Sequence, residues 1–434
     1  MTSPVPHLAG NYAPVTEELT THDLPVTGQV PAELTGWYLR NGPNPHDAAS
    51  RHWFAGDGMV HGIRIENGRA VSYRNRWVRT KTFTDGARVF DDQGNRDLAA
   101  GVANTHVIRH AGRTLALVES SWPYEVTCEL DTVGPYDFDG ALRTPMTAHP
   151  KTCPGTGELH FFGYEVLNEP YLTYHRADAD GTLLLSRPIE VPAATMQHDF
   201  NLTAQHVVFM DLPVVFDLPT ALAREGMPFR WSESYPARLG VLRRDDPHGE
   251  VRWFAIDPCY VFHTLNAHDE PGKIVLYVMR YPQLWQHDSH GFDESTLWRW
   301  TIDLGSGTVA EEQLDDRVAE FPRVDDRLIG QDARFGHVTV AGDSSALIRY
   351  DLHTGDRTTH EFGAGRVPAE AVFAPADEHP GGSGYLMSFV YNATSELSDL
   401  VILRADDLAA APVATVHLPQ RVPFGFHGSW LPDV

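Results

Sequence analysis

The sequence is poor in lysine, cysteine and positive charge. Only three of its 434 residues are lysine (Lys81, Lys151 and Lys273), and 34 basic side chains stand against 58 acidic ones, a formal net charge of −24. Phosphate recognition rests on a basic footprint, so this balance argues against nucleic acid as a partner. Three cysteines, Cys128, Cys153 and Cys259, form no C-x-x-C pair. A disulfide scaffold and a cysteine-rich zinc site therefore lose support, and a reduced, cytoplasmic setting is expected. The opening residues lack a basic segment followed by an apolar one, so they do not read as a signal peptide. Clean apolar runs such as Ile274 to Met279 fall far short of the roughly 20 residues that cross a bilayer. Long amphipathic helical patterns are scarce as well, broken by 36 Gly and 31 Pro. The best helical candidate is Leu218 to Arg224. Missing too are the G-x-S-x-G elbow, the phosphate-cradling G-x-x-x-x-G-K-[ST], H-E-x-x-H, and a G-x-G-x-x-G after a strand, which removes the usual hydrolase, nucleotide-hydrolase, zincin and dinucleotide readings.

What is present is a core-forming composition, 42% hydrophobic and 10% aromatic, which excludes intrinsic disorder. A short apolar run, a turn of Asp, Asn and Gly, and a second apolar run recur as the signature of a β-hairpin. Seven such hairpins are read at Gly62–Tyr73, Val107–Glu119, Leu172–Leu185, Val241–Ile256, Trp298–Leu314, Leu347–Phe362 and Leu400–Leu418. Their starts lie 45 to 69 residues apart. Such steps suit the blades of a propeller, about 40 to 50 residues each plus loops; a pair of β-sandwiches is the alternative. No low-complexity linker divides the chain, so residues 1–434 read as a single domain.

Histidine is plentiful, 23 in all. Most histidines are structural, but four stand in apolar, strand-like surroundings: His149 in TAHPKTCPG, His198 in MQHDFNLT, His263 in YVFHTLNAHDE and His427 in PFGFHGSW. They are 49, 65 and 164 residues apart. No local element could join them, whereas blades converging on one axis could. Imidazole suits iron, zinc and copper. A ligating histidine normally donates its other N–H to a carboxylate or carbonyl, which singles out Glu119 ending TLALVE, Glu320 opening EFPR and Glu370 before AVFAP. Taken singly, each reads as a solvated surface carboxylate. His268 and Glu270 offer a rival H-x-E pair for a two-histidine, one-carboxylate iron site, although coincidences of two residues are cheap with so many acids.

These residues resemble the carotenoid cleavage oxygenases, a family that includes apocarotenoid oxygenases, plant epoxycarotenoid dioxygenases, the retinal pigment epithelium isomerase and bacterial stilbene cleavers. The likeness runs in family order through GWYLRNGPNP (36–45), HWFAGDGMVHGIRI (52–65), YRNRWVRT (73–80), HPKTCPGTGEL, HDFNLT, RLGVLRR, FHTLNAHDE, EFPR and GFHGSW. It implies an all-β, seven-bladed propeller capped by loops and short helices, with one iron(II) per chain on the axis. It assigns the ligands to His149, His198, His263 and His427, and places Glu119, Glu320 and Glu370 behind His198, His263 and His427 respectively. Thr105 would stand near a vacant coordination position and Phe54 would line the substrate tunnel; His61 supplies no ligand. The implied activity is cleavage of a conjugated C=C bond by O2 into two carbonyl products. The substrate would be a hydrophobic small molecule, a carotenoid or apocarotenoid, with a stilbene or phenylpropene as the alternative. A binding propeller with a merely structural metal is a reading from another class. The segment from Leu212 to Phe229 reads equally as a membrane-contacting patch and as an ordinary buried loop and helix.

Three positions depart from the family pattern. Cys153 replaces a common Asp and Gln197 precedes HDF, neither of which removes a ligand. Val118 stands where stilbene-cleaving members carry a lysine that grips a phenolate, and losing that cation favours an apolar polyene.

Overall fold

The turns decide where this chain reverses. At Asn67 and Gly68 both residues take positive φ (47° and 74°), as do Ala111 and Gly112 (49° and 75°), the geometry of a two-residue turn whose twist matches the flanking strands. The strands Gly58–Glu66 and Arg69–Trp77 pair across the first turn, and His106–His110 and Arg113–Leu117 across the second. All seven hairpins read from the sequence are present, one in each of seven sheets of four to six strands. This computed structural model describes residues 6–47, 50–223, 226–287, 289–342 and 345–433. It is nearly all strand, in the arrangement of a seven-bladed β-propeller.

The chain divides into two compact units, Phe138–Gly336 and Met1–Asp137 with His337–Val434. In the first, three sheets are simple antiparallel meanders. One runs Lys151–Thr152, Leu159–Tyr164, Leu172–Ala177, Leu183–Ile189; the next Asn201–Leu202, His206–Asp211, Arg238–Arg243, Arg252–Ala255; the third Tyr260–Glu270, Lys273–Tyr281, Thr296–Asp303, Thr308–Gln313. Their core is aromatic, with Phe162 edge-on to Phe200 and Tyr174 edge-on to Phe209. A small ribbon pairs Val214–Phe216 with Phe229–Trp231. Between its strands lies the helix Leu218–Ala223, which matches the expected one except that residue 224 lies outside the described residues.

The second unit is joined by strands from opposite ends of the chain. Gly428–Pro432 pairs with Gly36–Pro43, while Val26–Gly28 pairs with Ala414–His417. Tyr38, Ile63, Tyr73, Phe389, Leu400 and Ile402 fill the core between these two sheets at 2% exposure or less. Burial of each such Leu or Ile stabilises by about 1.5–3 kcal/mol. Among the described residues, no helix is long and apolar enough to cross a membrane.

Candidate metal centre

In the unit spanning Phe138–Gly336, three successive sheets each carry one of the predicted histidines close to the start of their first strand. His149 and His198 lie in loops immediately before Lys151–Thr152 and Asn201–Leu202, while His263 lies inside Tyr260–Glu270. The register of that strand shifts between Val261 and Thr264, an irregularity of the kind that re-aims a side chain out of the ladder. Nε2 of His149 is 3.0 Å from Nε2 of His198, which is 3.3 Å from Nε2 of His263. Three residues separated by 49 and 65 positions thus present the same ring nitrogen to one point.

The opposite edge of His263 is fixed. Its Nδ1 donates to Glu320 Oε2 at 2.6 Å, and the Tyr281 hydroxyl donates to Glu320 Oε1 at 3.0 Å. The carboxylate defines the tautomer, leaving the lone pair on the converging nitrogen. Burial, with Glu320 beside it, pushes the Tyr281 phenol well above its ordinary pKa, so it remains a donor. Phe321 stacks on the His263 ring with centroids 5.6 Å apart, from a backbone in the left-handed region (φ 53°). Phe262 packs edge-on to His198 and against Tyr260, Tyr281 and Trp285. The surroundings of His198 and His263 are therefore aromatic.

His427 belongs to the other unit and is held in the same way. Its Nδ1 donates to Glu370 Oε1 at 3.0 Å, while Glu370 Oε2 accepts from the Gly428 N–H at 2.7 Å. Glu370 is only 2% exposed, so it is no surface carboxylate. The backbone of His427 is pinned on both sides, its N–H donating to the Thr105 carbonyl and its carbonyl accepting from the Asn41 N–H. That gives the NGPNP segment a physical role, since the Asn41 amide also donates to the carbonyls of Ala103 and His106. Thr105 is nearly buried beside His427, with its hydroxyl turned to Asn104. Phe54 packs edge-on to Phe426, the neighbour of His427, in a cluster with Trp53, Phe424 and Tyr12. Glu119 is half-buried just after the strand Arg113–Leu117, in the same unit as His427.

The donors suit a metal ion. Metal–imidazole bonds of about 2.0–2.1 Å set neighbouring donor nitrogens at right angles about 3 Å apart, as the two distances within the first unit are. His427 of the other unit offers a ring nitrogen fixed in the same way, and neutral imidazoles leave a bound ion its full charge. The rival pair is not such a set. His268 Nε2 and Glu270 are 3.7 Å apart at the far end of the His263 strand, where His268 is buried and Glu270 exposed. His61 hydrogen-bonds Tyr73 inside the core. The three thiols are free, and Cys153 accepts a hydrogen bond from Arg244. Tyr281, Phe262, Phe321 and Phe426 were not singled out in the sequence. Each looks like an ordinary aromatic; adjacency to a histidine or its glutamate (His263, Glu320, His427) marks Phe262, Phe321 and Phe426, and nothing local marks Tyr281.

Comparison with known proteins agrees with these features. The family model described as retinal pigment epithelial membrane protein matches residues 12–432. A carotenoid cleavage oxygenase from Mycobacterium tuberculosis is 40% identical, over 98% of this chain and 97% of that one. Among solved structures, the lignostilbene dioxygenase of Pseudomonas brassicacearum is similar at a TM-score of 0.88 and 31% identity, covering 99% of each chain. A cobalt-substituted apocarotenoid oxygenase from Synechocystis gives 0.86 at 28%, covering 97% of each. With a likeness that extends over almost every residue, the chain is an oxygenase and belongs to the carotenoid cleavage oxygenase family, that of the retinal pigment epithelial membrane protein.

Proposed function

We propose that the protein is a non-haem iron(II) dioxygenase that cleaves a conjugated C=C bond of a carotenoid or apocarotenoid. His149, His198, His263 and His427 would hold one iron(II) per chain, with Glu119, Glu320 and Glu370 orienting His198, His263 and His427. The observation that carries the reading is the convergence of three Nε2 atoms at 3.0 and 3.3 Å, with Glu320 on the outer nitrogen of His263. Iron(II) in an all-imidazole site supplies O2 activation when bound. The stoichiometry then closes without a further reactant: one C=C bond and one O2 are consumed and two C=O bonds form, so neither an external reductant nor an acid–base residue is demanded.

The side chains have the remaining tasks. Glu320 and Glu370 hold the Nδ1 protons of His263 and His427 and so keep both lone pairs inward. Thr105, small and buried beside His427, would leave room at a vacant coordination position. Phe54, Trp53 and Phe426 in one unit and Phe262 and Phe321 in the other offer apolar walls. A polyene is selected by shape and apolar contact rather than by hydrogen bonds. Val118, at 8% exposure, offers no cation to a phenolate, which favours the polyene over a stilbene. Leu218 and Leu222, 50% and 74% exposed on the short helix, would serve as the peripheral membrane contact from which such a substrate is taken up.

Protein loaded anaerobically with iron(II) and given an apocarotenal in detergent should yield shortened aldehydes on exposure to O2. Faster turnover of a hydroxystilbene or phenylpropene would move the assignment to the alternative substrate. Silence across carotenoid, apocarotenoid and stilbene panels would overturn it.

A further inference from the structure

One of the three lysines is half-buried, and the buried carboxylate it meets ties together segments next to all three converging histidines. Lys151 Nζ is 2.8 Å from Asp199 Oδ1, with side-chain exposures of 17% and 2%. The same Oδ1 accepts from the Phe200 N–H, while Oδ2 accepts from the Thr264 N–H at 2.9 Å and from its hydroxyl at 3.1 Å. Lys151 is two residues after His149, Asp199 one after His198 and Thr264 one after His263. A second tie runs alongside, in which the Thr147 hydroxyl donates to the His198 carbonyl and accepts from the His149 N–H.

A buried ion pair is a poor source of stability, since apolar side chains of similar volume do as well or better. Its distinctive property is direction. Each contact fixes one segment relative to the carboxylate, and a metal site tolerates only about 0.5 Å of error in its donors. We propose that Asp199 is a positioning residue that clamps the segments bearing His149, His198 and His263 at the spacing a metal ion requires, with Lys151 and Thr264 as its two arms. This rests on the reading of those histidines as ligands.

The test is anaerobic cobalt(II) titration of metal-free protein against a competing chelator, with the visible absorption band of the bound ion recorded and the melting temperature of the metal-free form measured in parallel. Wild type should bind one cobalt(II), and His263→Ala should lose it. Thr264→Val removes only the hydroxyl arm and should weaken binding by about 10-fold with a shifted band, and Asp199→Asn by about 10- to 100-fold. Thr264→Ser should restore affinity and band. The Thr264→Val and Thr264→Ser pair decides the matter even where Asp199→Asn does not fold. Wild-type affinity and spectrum in Thr264→Val and Asp199→Asn, or losses that merely follow a lowered melting temperature, would overturn the clamp while leaving the ligand reading intact. Binding that survives His263→Ala would overturn both.

Discussion

Glu320 does for His263 what no backbone group could, because it holds a protonated Nδ1 with one oxygen and is itself aimed by Tyr281 through the other. Glu320→Gln should reduce metal retention by about 10- to 100-fold, read as metal content after dialysis against a chelator. Tyr281→Phe removes one contact to the carboxylate but leaves the histidine bond, so its loss should be smaller than that of Glu320→Gln. An equal or larger loss would mean that the phenol acts otherwise. Glu320 and Glu370 were legible in the sequence because an acid inside an apolar run asks for a partner. Tyr281 was not, since it follows His263 by a hairpin and carries no local mark of that pairing. The stacking of Phe321 was hidden as well, because it depends on a left-handed backbone that the residue type does not disclose.

On the adjacent strands Leu159–Tyr164 and Leu172–Ala177, His160 and His175 are sealed in the blade. His160 meets the Tyr174 hydroxyl at 2.6 Å, and His175 lies between the hydroxyls of Thr144 and Ser186. Burial pulls both imidazoles down to about 3. The unfolded chain, with histidines near 6.5, then binds more protons than the folded one at every pH between these values. Stability from the two neutral rings is therefore complete above about pH 6.5 and is lost as pH falls toward 3, by up to about 1.4 kcal/mol per pH unit for each histidine. Urea midpoints should drop between pH 7 and pH 5, and His175→Gln should flatten that dependence; an unchanged slope would show that His175 is not held neutral. At this scale the sequence was most readable. Turn chemistry and alternating apolar residues are local, so each of the seven hairpins could be seen. The strand Gly428–Pro432 could not, because its partner Gly36–Pro43 lies almost a whole chain away. Deletion of the last ten residues removes that strand with His427, and purified protein should then lose metal and melt lower than the full chain. Retained metal would show that His427 is dispensable.

Taken as a whole, the molecule carries a strong negative charge yet lines its histidines with aromatic rings, a combination suited to an uncharged, apolar substrate rather than a polyanion. Leu222→Asp should lower co-sedimentation with phosphatidylcholine vesicles while metal content stays at the wild-type level. Binding unaffected by the change would remove the helix from the uptake route. Seven hairpins announced repetition and let four distant histidines be read toward one axis, while the resemblance spread across the chain supplied their roles as iron ligands. The most direct measurement of that proposal is metal analysis of anaerobically reconstituted protein, followed by a reaction with an apocarotenal under 18O2 and mass determination of the products. The result expected of that proposal is one iron per chain and two carbonyl fragments, each carrying one labelled oxygen. Stoichiometric zinc or no bound metal, with the apocarotenal recovered intact, would contradict it.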